Sequence, residues 1–243
     1  MSRSFAMFLF AGAISASTAF AGISLTGQSR SVSIAGAASG SAADSSFNQT
    51  VDAIPGTPFS QGLANSAGTD PASASASAVQ LSTIALVGGR LSLVANGSVE
   101  GSSSDTVSSF TAASQFSLTF AVDEPVAYLF NEEVSSDQET SLSLLGADLT
   151  SAGQSILGVS TAGPPRLQAA DVPTFQTTGI LSPGTYTLSG GASGEGSLTS
   201  VDASYIVNFS AIPVSQMIPV PPAFWSGAIG LALSALTARR MRN

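Results

Sequence analysis

Polar and apolar residues alternate with a period of two through most of the interior of the chain. Ile23-Ser24-Leu25-Thr26 and Ser31-Val32-Ser33-Ile34 follow this pattern, as do Leu91-Ser92-Leu93 and Phe116-Ser117-Leu118-Thr119-Phe120. Tyr205 to Phe209 repeats it, with Val207 between them. Successive side chains of a strand point to opposite faces, so the alternation predicts strands with one face in a core. The other face, rich in Ser and Thr, would meet water. No sustained 3.6-residue apolar period competes with this reading. Turn signals lie between the runs. Pro183-Gly184, within Leu181 to Leu188, reads as a turn feeding a strand. Asn96-Gly97 reads as a hairpin turn between Leu91–Ala95 and Ser98–Glu100. Short strands with frequent turns predict an all-β body, an antiparallel, jelly-roll-like β-sandwich.

The pattern weakens between Gly36 and Ala78. Ala, Ser and Gly dominate there, with Pro55, Pro58 and Pro71 among them. Such a segment has little apolar surface to bury, so residues 22–78 are expected to hold weak strands or partial disorder. Ser73 to Ala78 alternates strictly, yet alanine gains little on burial. The sandwich proper is expected over residues 79–213, followed by a separate tail over 214–243.

The two ends depart from the alternation. Arg3 is followed by an apolar run from Phe5 to Ile14, and then by Ala19-Phe20-Ala21 before Gly22. A positive start, a short apolar run and a small-x-small triplet predict a removable signal peptide over residues 1–21. Ala19 and Ala21 would specify the cut, and Gly22 would be the new N-terminus. At the other end, Ile218-Pro219-Val220-Pro221-Pro222-Ala223-Phe224-Trp225 leads into an apolar stretch closed by Arg239-Arg240-Met241-Arg242. The prolines stop any incoming strand, and Pro222 suits the first turn of a helix. Trp225 suits a membrane interface, and the arginines favour the cytoplasmic side. The apolar segment at 223–238 would be about 24 Å long as a helix, slightly short of a bilayer core of roughly 30 Å. A transmembrane helix is expected there, its deficit covered by snorkelling arginine stems.

Val220-Pro221-Pro222-Ala223, Trp225, a helix containing Gly227 and Gly230, and the basic end with Arg239, Arg240 and Arg242 together resemble the PEP-CTERM sorting domain. The likeness is to its Val-Pro-Leu-Pro-Ala type variants and covers only the tail. Val220 stands where the commonest form has the Glu of its Pro-Glu-Pro core. The resemblance implies recognition by an exosortase-like membrane sorting protease. It also implies a Gram-negative bacterium that makes extracellular polysaccharide. The protein would be exported, held briefly in the inner membrane by its C-terminal helix, and then delivered to the cell surface or outside.

Composition narrows the chemistry. The 243 residues include no His and no Cys, and all seven basic residues are Arg. Between the ends, fifteen Asp and Glu stand against Arg30, Arg90 and Arg166, a net charge of −12. A body this acidic repels phosphate backbones, so nucleic acid is not an expected partner. Without His, Cys or Lys there is no Ser-His-Asp or Cys-His unit, no Schiff base and no His-based metal site. Carboxylate chemistry remains. Asp123-Glu124 and Glu132-Glu133 are read as flanking a strand at Val126–Phe130, with Asp137 and Glu139 beyond. A glycoside hydrolase needs only a pair of such acids, about 5 to 9 Å apart. Solvated charges at strand ends are the plainer reading. No enzyme activity and no cofactor are therefore expected. The expected function is a structural or interaction role at the surface, associated with exopolysaccharide. A carbohydrate- or calcium-binding module on the same sandwich is the alternative, and it would want Tyr128, Tyr186 or Tyr205 facing outward.

Overall fold

The structure is a computed structural model that describes residues 22–39, 44–136, 142–157 and 174–217. Twelve strands fill it: β1 (Ile23–Ser39), β2 (Asp44–Asp52), β3 (Phe59–Thr69), β4 (Ala72–Val87), β5 (Arg90–Ser103) and β6 (Ser109–Val122). They continue with β7 (Val126–Ser136), β8 (Leu142–Ser151), β9 (Gln154–Ser155), β10 (Thr174–Leu181), β11 (Gly184–Gly196) and β12 (Ser200–Pro213). One helical turn, α1 (Val214–Met217), follows. The strands form two six-stranded sheets, the first ordered β2-β1-β6-β11-β8-β9 and the second β10-β7-β12-β5-β4-β3. Every pairing is antiparallel. The all-β body expected from the alternation is present, as two facing antiparallel sheets.

Parity along each strand decides what lies between the sheets. Phe110, Phe116, Leu118, Phe120 and Val122 of β6 point inward, as do Tyr205, Val207 and Phe209 of β12. Phe120 meets Phe209 across the core with ring centroids 5.7 Å apart, and stacks at 5.8 Å on Tyr186 of the adjacent strand β11. The runs Ile23–Thr26 and Ser31–Ile34 are out of phase with each other, since the first is apolar at odd positions and the second at even ones. A register shift between Leu25 and Gly27 in the β1–β6 ladder absorbs this difference and keeps Ile23, Val32 and Ile34 all inside.

Residues 22–78 differ from the weak region expected. They supply β1, β2, β3 and the start of β4, and β4 runs without a break across residues 78 and 79. Ala72, Ala74, Ala76 and Ala78 are all buried. Each contributes little apolar area, but β4 is hydrogen-bonded to β3 on one side and β5 on the other. Ladder bonds and neighbours, rather than the alanines' own hydrophobicity, hold it.

Asn96-Gly97 is not a turn. Both residues lie in the middle of β5, where Gly97 is paired with Gln80 on one side and Tyr205 on the other. The reversal between β4 and β5 comes earlier, at Gly88 and Gly89, which take φ of 59° and 76°. Gly97 is glycine because Tyr205 lies over it to reach the opposite sheet, its OH 3.1 Å from Ser114 Oγ. A Cβ at Gly97 would overlap Ser114 Oγ and stand 2.7 Å from the Tyr205 ring. Gly97→Ala is therefore expected to cost about 2 kcal/mol by overpacking, read as a lower urea midpoint. An unchanged midpoint would contradict this packing. The Pro183-Gly184 turn does feed a strand, since β11 starts at Gly184. It carries the chain from the second sheet to the first, and Tyr186 OH caps it by donating to Ser182 O at 2.7 Å.

Candidate functional site

The outer face of the first sheet carries hydroxyls in rows set by register. Ser29 pairs with Ser117, Ser117 with Ser189, and Ser189 with Asp148, giving one polar row across four strands. The adjacent row reads Ser31, Gln115, Gly191, Gly146. A depression of about 430 Å³ opens over these rows, with Gly146 of β8 and Gly190 of β11 in its lining. It cannot be filled from below. A Cβ at Gly190 would overlap Ala147 and the carbonyl oxygen of Gly146. Hydroxyls tie to each other along its flanks: Thr119 Oγ1 to Thr187 Oγ1 at 3.2 Å, and Ser143 Oγ to Ser193 Oγ at 3.3 Å. Asp148 is the acid in the groove, and its Oδ1 accepts from Ser155 Oγ at 2.7 Å.

Behind β8 lies a second carboxyl. Glu132 falls within β7, whose residues Val126, Phe130 and Glu132 share the inward face, so it does not flank that strand at the surface. It is 2 % exposed, and its Oε1 accepts the Ala147 N–H at 2.5 Å. Gly146, at φ of 106°, leaves room for it, because a Cβ there would sit 2.7 Å from Oε1. Burial pushes the Glu132 carboxyl up to about 7, from 4.5. The Ala147 N–H works against that rise, and the charge of Asp148 adds to it. The β8 backbone separates Glu132 from the groove that Asp148 lines.

Among the described residues the other buried charge is Arg30, at 2 % exposure. It shares the inward face of β1 with Val32 and Ile34, and its guanidinium donates to the main-chain oxygens of Thr57 at 2.7 Å, Ile54 at 3.2 Å and Ser82 at 3.3 Å. The guanidinium carbon lies 5.9 Å from the Phe59 ring centroid. Burial lowers its pKa. Glu132 and Arg30 belong to one transverse layer of the core. In the first sheet that layer runs Arg30, Phe116, Gly190, Ala147; in the second it runs Glu132, Val207, Ala95, Ser82. The two charges occupy its opposite flanks.

The residues singled out at the ends divide. Gly22 is described and buried; its carbonyl accepts the Asp123 N–H at 3.0 Å, and a Cβ on it would lie 3.5 Å from Pro213 Cγ. The start of β1 and the end of β12 are therefore neighbours at one pole of the sandwich. Arg90 Nε and Gly88 O both bond the side chain of Gln216 there, at 3.1 and 2.8 Å, and Glu124 accepts from Ser215 Oγ at 2.9 Å. Ala19, Ala21, Val220, Pro221, Pro222, Ala223, Trp225, Arg239, Arg240 and Arg242 lie outside the described residues, as do Asp137, Glu139 and the helix expected at 223–238. Among the described residues no helix is long and apolar enough to cross a membrane, and no three acidic side chains are placed to share a metal ion. Of the tyrosines, Tyr205 and Tyr186 are buried, and Tyr128 stacks on Phe209 with ring centroids 6.3 Å apart.

Compared with protein-family models, curated proteins and solved structures, the chain matches none of them.

Proposed function

We propose that this chain is an exported surface or matrix protein of non-enzymatic, structural or interaction type. Its body, a jelly-roll-like sandwich, would be delivered by the PEP-CTERM-like tail through an exosortase-like protease. The observation that supports this reading most is the common pole. Gly22 and Pro213 are neighbours, so a leader before the one and a membrane tail after the other would leave the body at the same end. A body hung from that pole presents its far end and both polar faces to the surroundings. The buried Glu132 and the groove acid Asp148 sit on opposite sides of β8, an arrangement that suits charge placement better than a catalytic pair sharing one cleft.

A carbohydrate-binding role for the same body is favoured by one feature, the glycine-floored groove. Ser29, Ser31, Gln115, Ser117, Ser189 and Asp148 offer it donors and acceptors for a hydroxylated ligand. Recognition would run through hydrogen bonds, since the tyrosines are committed to the core.

One experiment tests both. The gene is expressed in its host with and without residues 219–243, and the location and mass of the product are followed. The sorted protein is expected outside the inner membrane, shortened at both ends, with Gly22 as its N-terminus. A full-length product retained in the inner membrane would refute the sorting reading. Retention of the released body on the host's extracellular polysaccharide would support the binding role, and free diffusion away from it would count against that role.

A further inference from the structure

We infer that the two edges of the second sheet, β3 and β10, pair with each other between copies of this chain, extending the sheet from one molecule to the next. The edges of the first sheet carry charge and those of the second do not. In the first, edge strand β2 begins and ends with Asp44 and Asp52, and on the other side the two-residue β9 covers only Thr150 and Ser151, so the rest of β8, with Asp148, lies at the edge. Charges and short strands are the usual devices that stop an edge from accepting another strand. In the second sheet, the edge β3 reads FSQGLANSAGT and the edge β10 reads TFQTTGIL. Neither contains a charge or a proline, in a chain that is strongly acidic between its ends.

Regularity points the same way. The first sheet is broken by register shifts at Leu25/Gly27 and at Ser193/Gly194. All five ladders of the second sheet run without one. An unbroken ladder leaves each edge as a straight row of N–H and C=O groups. On β3, the Ser66 N–H takes Asn65 Oδ1 at 2.8 Å, a side-chain substitute for the carbonyl an added strand would offer.

Direction also fits. Six strands, each antiparallel to the next, leave β3 running opposite to β10. The β10 of a second copy set beside β3 is then antiparallel to it, so the ladder continues in the pattern already present. The pairing is heterologous, one edge against a different edge, and therefore open-ended. Negative charge elsewhere on the body opposes approach, so added salt should favour assembly by screening it. The inference concerns the body alone and does not depend on how the tail is processed.

The test uses the full chain in one detergent, followed by sedimentation velocity over a range of concentration and salt. Two variants each block one edge with a lysine at an exposed position, Ala64→Lys on β3 and Thr178→Lys on β10. Gln61→Lys and Gln176→Lys replace them if either fails to fold by circular dichroism. Wild type is expected to give a series of species that grows with concentration and with salt. Each variant alone should need about tenfold or more higher concentration to assemble, while an equimolar mixture of the two should form one-to-one pairs. The inference is overturned if wild type stays monomeric throughout, or if both variants assemble as wild type does. It is also overturned if either variant pairs with itself, which would mean a symmetrical contact or one made by the tail.

Discussion

Replacing Glu132 by Gln is expected to flatten the dependence of stability on pH between about pH 5 and pH 8. The wild-type carboxyl sits near 7 when folded and at an ordinary value of 4.5 when exposed. Between those values the folded chain holds a proton that the unfolded chain has released. Stability contributed by this group is therefore fully present in acid, declines as pH rises through 4.5, and reaches its floor above about 7. A gap of about 2.5 units corresponds to ~3 kcal/mol, a large share of a single domain's stability. Glutamine keeps an oxygen for the Ala147 N–H and cannot ionise. The variant should match or fall slightly below wild type at pH 5, then gain on it steadily toward pH 8. Urea midpoints at four or five pH values would show this, and parallel curves for the two proteins would refute it. Asp105 acts in the opposite sense and outside this window. Hydrogen bonds from Ser108 and from the Val107 N–H hold its carboxyl below the usual value, so its contribution fades only as pH falls through that lowered value.

Arg30→Ala is expected to cost about 3–4 kcal/mol. It empties the space between Phe59 and the core and leaves Ser82 O without its donor in a buried place. The carbonyls of Ile54 and Thr57 lie at the exposed connection between β2 and β3 and can turn to water, so that connection should loosen. Arg30→Met keeps most of the stem volume and removes a charge that burial already disfavours. It should cost about 1–2 kcal/mol, roughly half the alanine effect. Hydrogen exchange would report faster amides at residues 53–58 in both variants, with global unfolding advanced mainly in the alanine form. An alanine variant with the wild-type midpoint would show that Arg30 is not holding the loop to the core.

Both sites were half legible before any fold was known. Arg30 stands at the parity of Val32 and Ile34, and Glu132 at the parity of Val126 and Phe130. Period-two reasoning carried through each charge would have turned both inward. The opposite assumption, that charges sit at strand ends, treats burial of charge as prohibitive. Here main-chain partners make it tolerable: three carbonyls for the guanidinium, and an amide for a carboxyl that burial keeps partly protonated near neutrality. The groove had no such signal. Ser29, Ser117, Ser189 and Asp148 come from four strands, and only their shared register makes a row of them.

Taken alone, the sequence determined the class of structure and the inward set of its strongest strands. The alternation around Phe116–Val122 and Tyr205–Phe209 is local, and a strand's two faces follow from it whatever the partners are. Even the phase change within β1, between the run holding Ile23 and Leu25 and the run holding Val32 and Ile34, was written there, and the register shift answers it. Tertiary structure alone decided the rest. It made Asn96-Gly97 the middle of β5, because Tyr205 from another strand needed the space above Gly97. It turned the alanine-rich stretch before residue 79 into an interior strand, because β3 and β5 supply ladders on both sides. It also placed β3 and β10 at the two ends of one sheet. Which strand lies beside which depends on contacts far apart in the chain, and no local pattern encodes them.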